Sequence, residues 1–155
     1  MYKILFVCHG NICRSVMAEF VFKTLAKNSG RGDLFEVKSA ATSTEEIGNP
    51  IYPPALKCLQ GHGIMGAQHR ARQVTQTDYG HYDFLILMDK NNLRNLRRII
   101  PNDPQGKISM LLEHVDPALL GGRSIEVADP WYTNDFETAY RDILLGCQSL
   151  MDELQ

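Results

Sequence analysis

The stretch KILFVCHGNICRS, Lys3 to Ser15, runs four apolar residues into a thiol and then changes character. A short apolar run bounded by glycine reads as a strand buried on both faces, here Lys3 to Cys8. Beyond it Val16, Met17, Phe20, Val21 and Leu25 recur at spacings of three and four, with Glu19, Lys23 and Lys27 elsewhere on the helix and Ser29-Gly30 closing it. The segment Cys8 to Ser15 is therefore the turn between a strand and a helix. Such a turn directs backbone N–H groups inward, and the helix dipole adds partial positive charge at the same point, which makes a cradle for an anion.

The residues in that turn suit the task. Gly10 permits tight curvature, and Asn11 is the non-glycine type that best holds a positive φ. Arg14 offers a planar fork to two phosphate oxygens, a geometry lysine lacks. A free thiol titrates near 8.5, but at a helix N-terminus beside arginine the value falls to roughly 3.5–7.5, so Cys8 is expected as a thiolate, with Ser15 donating a hydrogen bond to it. Cradle and thiolate together point to in-line attack on phosphorus through a phosphocysteine intermediate. The leaving oxygen then needs a proton. Asp129 in ADPWYTND is the candidate general acid, with Trp131 and Tyr132 walling a slot beside it. The bare Cys-x5-Arg spacing is weak evidence; its place between strand and helix carries the weight.

Outward from this turn, strands and helices alternate. Leu34–Ser39 and Asp83–Met88 read as strands, Lys107–Leu112 as a fourth, Pro53–His62 and Lys90–Ile100 as helices, and a stripe from Tyr140 to Leu154 as a helix at the C-terminus. This order implies an α/β fold, a single three-layer domain over residues 1–155 with a four-stranded parallel sheet and helices on both faces. Ligands in such sheets bind beyond the carboxyl ends of the strands, where the Cys8 turn lies.

The bulk numbers agree with one domain. The chain has 155 residues, 44% of them hydrophobic, with 16 basic and 18 acidic residues in mixed order. That balance leaves no broad cationic field for nucleic acid or anionic lipid. No stretch approaches the ~18 apolar residues of a membrane span. Without a secretory pattern at the start, a cytoplasmic protein is expected, and the four cysteines are expected to be reduced. His62, His81 and His114 lack ligand-like spacing, so neither metal nor cofactor is expected. Cys58 and Cys147 fall on apolar helix faces, and Arg94, Arg97 and Arg98 read as a solvated face.

With VCHGNICRS near one end and DPWY near the other, the chain resembles the low-molecular-weight protein tyrosine phosphatases. The resemblance continues through SAAT (Ser39 to Thr42), EIGNP, HRARQ and MDKNNL. It implies hydrolysis of phosphotyrosine in protein substrates, with Cys8 as nucleophile, Arg14 as phosphate clamp and Asp129 as general acid and base. His9, Gly10, Asn11, Ile12, Cys13, Ser15, Trp131 and Tyr132 would surround the phosphate or a similar oxyanion. Asn11, Ser15, Ser39 and His69 would form the network supporting the loop. Trp131 stands where tyrosine is common, and Glu45 where relatives carry a bulky lip residue. The resemblance further implies a reversible Cys8–Cys13 disulfide and a monomer or weak dimer. An arsenate reductase would need two further cysteines close together, and a non-catalytic phosphate-binding module would not need Asp129.

Overall fold

The computed structural model describes residues 1–154. Its sheet has four parallel strands in the order β2-β1-β3-β4, with β1 at Tyr2–Cys8, β2 at Phe35–Ala41, β3 at Phe84–Leu87 and β4 at Ile108–Met110. The helices are α1 (Arg14–Asn28), α2 (Pro53–Gly61), α3 (Gln76–His81), α4 (Lys90–Leu96), α5 (Pro117–Leu120), α6 (Pro130–Thr133) and α7 (Phe136–Glu153).

Side-chain alternation along β1 divides the interior into two cores. Ile4, Phe6 and Cys8 face one side, where they meet residues of α1, α2 and α7. Leu5 and Val7 face the other, against Val74, Tyr82, Leu96 and Ile100 around α3 and α4. A strand buried on both faces has no place for a polar side chain, which accounts for the unbroken apolar run. The expected α/β fold is what the chain forms.

Some boundaries differ from the expectation. Leu34 belongs to a 3-10 turn at Gly32–Leu34, and β2 continues past Ser39 because Ala40 and Ala41 pair with Val7 and Cys8. The fourth strand stops at Met110, where Glu113 accepts the Met110 N–H and starts a 3-10 turn over Leu111–His114. The α4 helix ends at Leu96 rather than Ile100; the chain goes on in turns in which Ile99 N and Ile100 N donate to Leu96 O, and Pro101 disfavours helical geometry at Ile100. The α3 helix, not expected, is set by a capping box between Thr75 and Asp78.

Placed between β2 and β3, β1 lies where the chain order of the sheet reverses. Loops that leave β1 and β3 therefore diverge and open a crevice at the carboxyl ends of those strands. Cys8 ends the first, and Asp89 lies two residues beyond the second.

Candidate active site

The turn after β1 is held by its carbonyl groups. Cys8 O accepts from Thr42 N, His9 O from Ser43 N, Ile12 O from Tyr52 N and Cys13 O from Met17 N, all at 2.9–3.1 Å. Asn11 O accepts from His69 Nε2 at 2.7 Å. Among the described residues, no protein acceptor takes the backbone N–H of residues 9 to 13. The carbonyls of Cys8, His9, Asn11 and Ile12 are thus tied to neighbouring segments and that of Cys13 to the first turn of α1, while the amides of residues 9 to 13 remain available to a ligand. The α1 helix begins at Arg14 with no capping side chain and no acidic residue in its first turn, so its positive end is uncompensated.

Asn11 takes the left-handed conformation at φ 59°, as its residue type foretold. Gly10 does not. A Cβ there would meet Glu46 Cγ at 3.4 Å and Ile12 Cγ1 at 3.8 Å, ordinary contacts, so the sharp bend falls on Asn11. The Asn11 amide serves the loop twice: Nδ2 donates to Ser15 Oγ at 2.8 Å, and Oδ1 accepts from Arg72 N at 3.2 Å. Ser15 Oγ is in turn 2.9 Å from Cys8 Sγ.

Arg14 is 2% exposed. Its Nη1 donates to Asp89 Oδ2 at 2.7 Å and to Val127 O at 2.8 Å, and its Nη2 lies 3.3 Å from Asp129 Oδ2. Burial works against the guanidinium charge, but Cys8, Asp129 and Asp89 outweigh it and push its titration further up. Burial, the Cys8 charge and Asp129 push the Cys13 thiol up to about 12.

Cys8, His9, Gly10, Ile12, Cys13, Arg14, Asp129, Trp131 and Tyr132 line one pocket of about 180 Å³, together with Glu45 and Glu46. Asp129 caps α6, accepting from Trp131 N at 3.0 Å. The Trp131 ring leans on Tyr52 at 5.0 Å, while Tyr132 is 84% exposed. His9 and Glu45 pair at 3.0 Å on the rim. Asn11, Ser15 and His69 lie behind the loop.

Ser39 is placed differently from the expected network. Its hydroxyl donates to Glu19 Oε1 at 2.6 Å and makes no bond to the loop. Glu19, read from sequence as lying off the apolar face, is buried beneath Lys23 and Ser39. Asp89, Val127, Arg72 and Glu19 were not singled out from sequence. Asp89 carried one available signal, since it ends the apolar run DFLILM at a strand's carboxyl end.

A parallel sheet with a thiol, an arginine and a partly buried aspartate converging at its carboxyl edge defines the class of α/β proteins that bind oxyanions in a strand-to-helix loop. Comparison with known proteins makes this specific. Residues 3–155 match the family model of the low molecular weight phosphotyrosine protein phosphatases, and the chain belongs to that family. The low molecular weight phosphotyrosine protein phosphatase of Rattus norvegicus is 39% identical over 154 residues, covering 97% of this chain and 94% of the relative. The crystal structure of YfkJ from Bacillus subtilis superimposes with a TM-score of 0.93 at 35% identity, covering 100% of this chain and 95% of that one. That of DARP, a Drosophila arginine phosphatase, gives 0.85 at 27% identity, covering 99% and 98%.

Proposed function

We propose that this protein hydrolyses phosphotyrosine in protein substrates through a cysteinyl-phosphate intermediate. The observation that carries the reading is the loop around Cys8 whose carbonyls at residues 8, 9, 11 and 12 are tied to neighbouring segments while no protein acceptor takes its amides and Arg14 lies buried beside it, which supports a phosphate cradle on the amide side. The substrate phosphate sits in the amide cradle, and Arg14 grips two of its oxygens. Ser15 Oγ already accepts from Asn11, so its own proton is free for the Cys8 sulfur as a thiolate.

The Cys8 thiolate attacks phosphorus in line as the P–O bond to the tyrosine ring breaks. Asp129 gives its proton to the departing phenol oxygen. In the second half, the Asp129 carboxylate takes a proton from water, the water oxygen attacks phosphorus, and the S–P bond breaks. Inorganic phosphate leaves and the thiolate is restored. Before substrate enters, Asp129 faces Arg14; a phosphate dianion takes the arginine's fork and frees the Asp129 carboxyl to meet the departing oxygen. Neither step uses a metal or an organic cofactor.

Trp131 supported by Tyr52, with Tyr132 beside it, forms an aromatic wall suited to a phenyl ring. The four free thiols suit a reducing compartment such as the cytoplasm. No helix among the described residues is long and apolar enough to cross a membrane. The protein acts as one domain over residues 1–155, as a monomer or weak dimer.

Steady-state assays with p-nitrophenyl phosphate, a phosphotyrosine peptide and phosphoarginine test the reading, since one structural relative is an arginine phosphatase. The phosphotyrosine peptide is expected to be the best substrate, acid quenching to trap a phosphoenzyme, and Cys8→Ser to abolish both. Turnover retained in Cys8→Ser, or a preference for phosphoarginine, would overturn it.

A further inference from the structure

Where the end of α2 meets the first turn of α7, among residues that do not line the active-site pocket, Cys58, His62 and Glu137 bring a sulfur, an imidazole nitrogen and a carboxylate oxygen within 4.8 Å of one another. We propose that these three side chains bind one divalent transition-metal ion of the zinc type. No role in the phosphatase reaction accounts for this cluster.

The arrangement follows from helix geometry. Cys58 and His62 are four residues apart on α2 and its C-cap, so their side chains point to the same side. Glu137 comes from the first turn of α7, packed across from them. His62 Nε2 is 2.7 Å from Glu137 Oε2, and Cys58 Sγ is 3.5 Å from Glu137 Oε1. Around a tetrahedral zinc ion, with bonds of about 2.0–2.3 Å, donor atoms lie roughly 3.3–3.7 Å apart. The three donors, all within 4.8 Å of one another, reach that spacing by side-chain adjustments of about 1 Å, with His62 and Glu137 exposed and Cys58 buried. Reading the histidines alone missed the site, because the spacing that matters joins His62 to a cysteine and to a residue 75 positions away.

The surroundings hold the donors in place. The His62 ring stacks flat on Tyr140, with centroids 3.8 Å apart and planes within 11°. Cys58 is buried, and its sulfur also lies 3.7 Å from Phe136 O. A mixed sulfur, nitrogen and oxygen set favours zinc, cobalt or cadmium over magnesium or calcium, which take oxygen donors. As the metal binds, the Cys58 thiol gives its proton to solvent and the S–metal bond forms, while neutral His62 and the Glu137 carboxylate coordinate without further change. The ion would pin the start of α7 to the end of α2, one residue from Phe136, whose ring meets Tyr52 behind Trp131.

The test is titration of the reduced full chain with Co²⁺ and then Zn²⁺, following sulfur-to-cobalt charge-transfer absorption and its loss on zinc exchange. It is run in a Cys8→Ser, Cys13→Ser background so that the loop thiols cannot supply the sulfur. One equivalent is expected to bind with the charge-transfer band present, and Zn²⁺ to raise the thermal midpoint. Cys58→Ser should remove the band, and His62→Gln and Glu137→Gln, both at exposed positions, should each weaken binding at least about tenfold. No band in the Cys8→Ser, Cys13→Ser protein, or binding unchanged in both exposed-site variants, would overturn the proposal.

Discussion

Arg14 and Asp129, 115 residues apart in the chain, face each other across 3.3 Å, while the other arm of the same guanidinium is held by Asp89 at 2.7 Å. The proposed phosphate clamp thus rests against the proposed acid, and Asp89 holds its other arm. Asp89 lies two residues beyond β3, the strand beside β1, as the N-cap of α4, so the sheet and the start of α4 together aim the arginine.

Replacing Asp89 by Asn keeps the side-chain oxygen that caps α4 but removes the charge facing Arg14. kcat/KM is expected to fall about tenfold or more, ~1.4 kcal/mol, with a smaller loss of stability. Asp89→Ala should lose both, the cap costing about 1 kcal/mol. Parallel kinetics and chemical denaturation separate the two effects.

Asp129→Ala tests proton delivery. Turnover of phosphotyrosine, which has a poor leaving group, should drop about 10²- to 10⁴-fold, whereas aryl phosphates with acidic phenols should suffer much less. A plot of log kcat against leaving-group pKa should therefore be steeper for the variant than for the parent.

Asp78 supplies an acid-sensitive support. Burial opposes its charge, but two hydrogen bonds from Arg72, with the Thr75 N–H and hydroxyl, outweigh it and hold the carboxyl below its ordinary value near 3.8. The unfolded chain then binds the proton more readily, so this stabilisation is present above about pH 4 and is lost as pH falls through the folded value. Because Arg72 N–H also holds Asn11, Asp78→Asn should lower stability at neutral pH and flatten its decline in acid. Urea midpoints measured from pH 3 to 7 read both.

Gly146 lies in the middle of α7, where alanine would ordinarily gain helix stability of up to about 1 kcal/mol. A Cβ at that position overlaps the fully buried Leu111 side chain. Gly146→Ala should instead destabilise the protein by about 1–3 kcal/mol through overpacking, measured by thermal or urea unfolding.

Peroxide treatment should inactivate the enzyme reversibly. Oxidation of Cys8 to the sulfenic acid removes a charge that holds the Cys13 thiol up, easing its deprotonation; its sulfur then displaces hydroxide, giving a Cys8–Cys13 disulfide and water. Dithiothreitol should restore activity in the parent. Cys13→Ser should pass to irreversible loss under the same peroxide dose.

The strand-to-helix loop and the alternation of strands and helices were legible in the residues because they rest on short-range rules. The strand's apolar run, the helical spacing beyond it and the left-handed preference of Asn11 are each decided within a few positions of chain. The strand order, the partnership of Arg14 with Asp89 and Val127, the burial of Glu19 against Ser39, and the meeting of Cys58 and His62 with Glu137 were not legible. Those contacts join residues that local periodicity treats as unrelated, and only the packing of helices onto a sheet of particular order brings them within hydrogen-bonding distance. Residue types and spacing determined which chemistry this protein carries; tertiary packing decided where each charge finds its partner, because a partner's distance in space is set by topology and not by its distance along the chain.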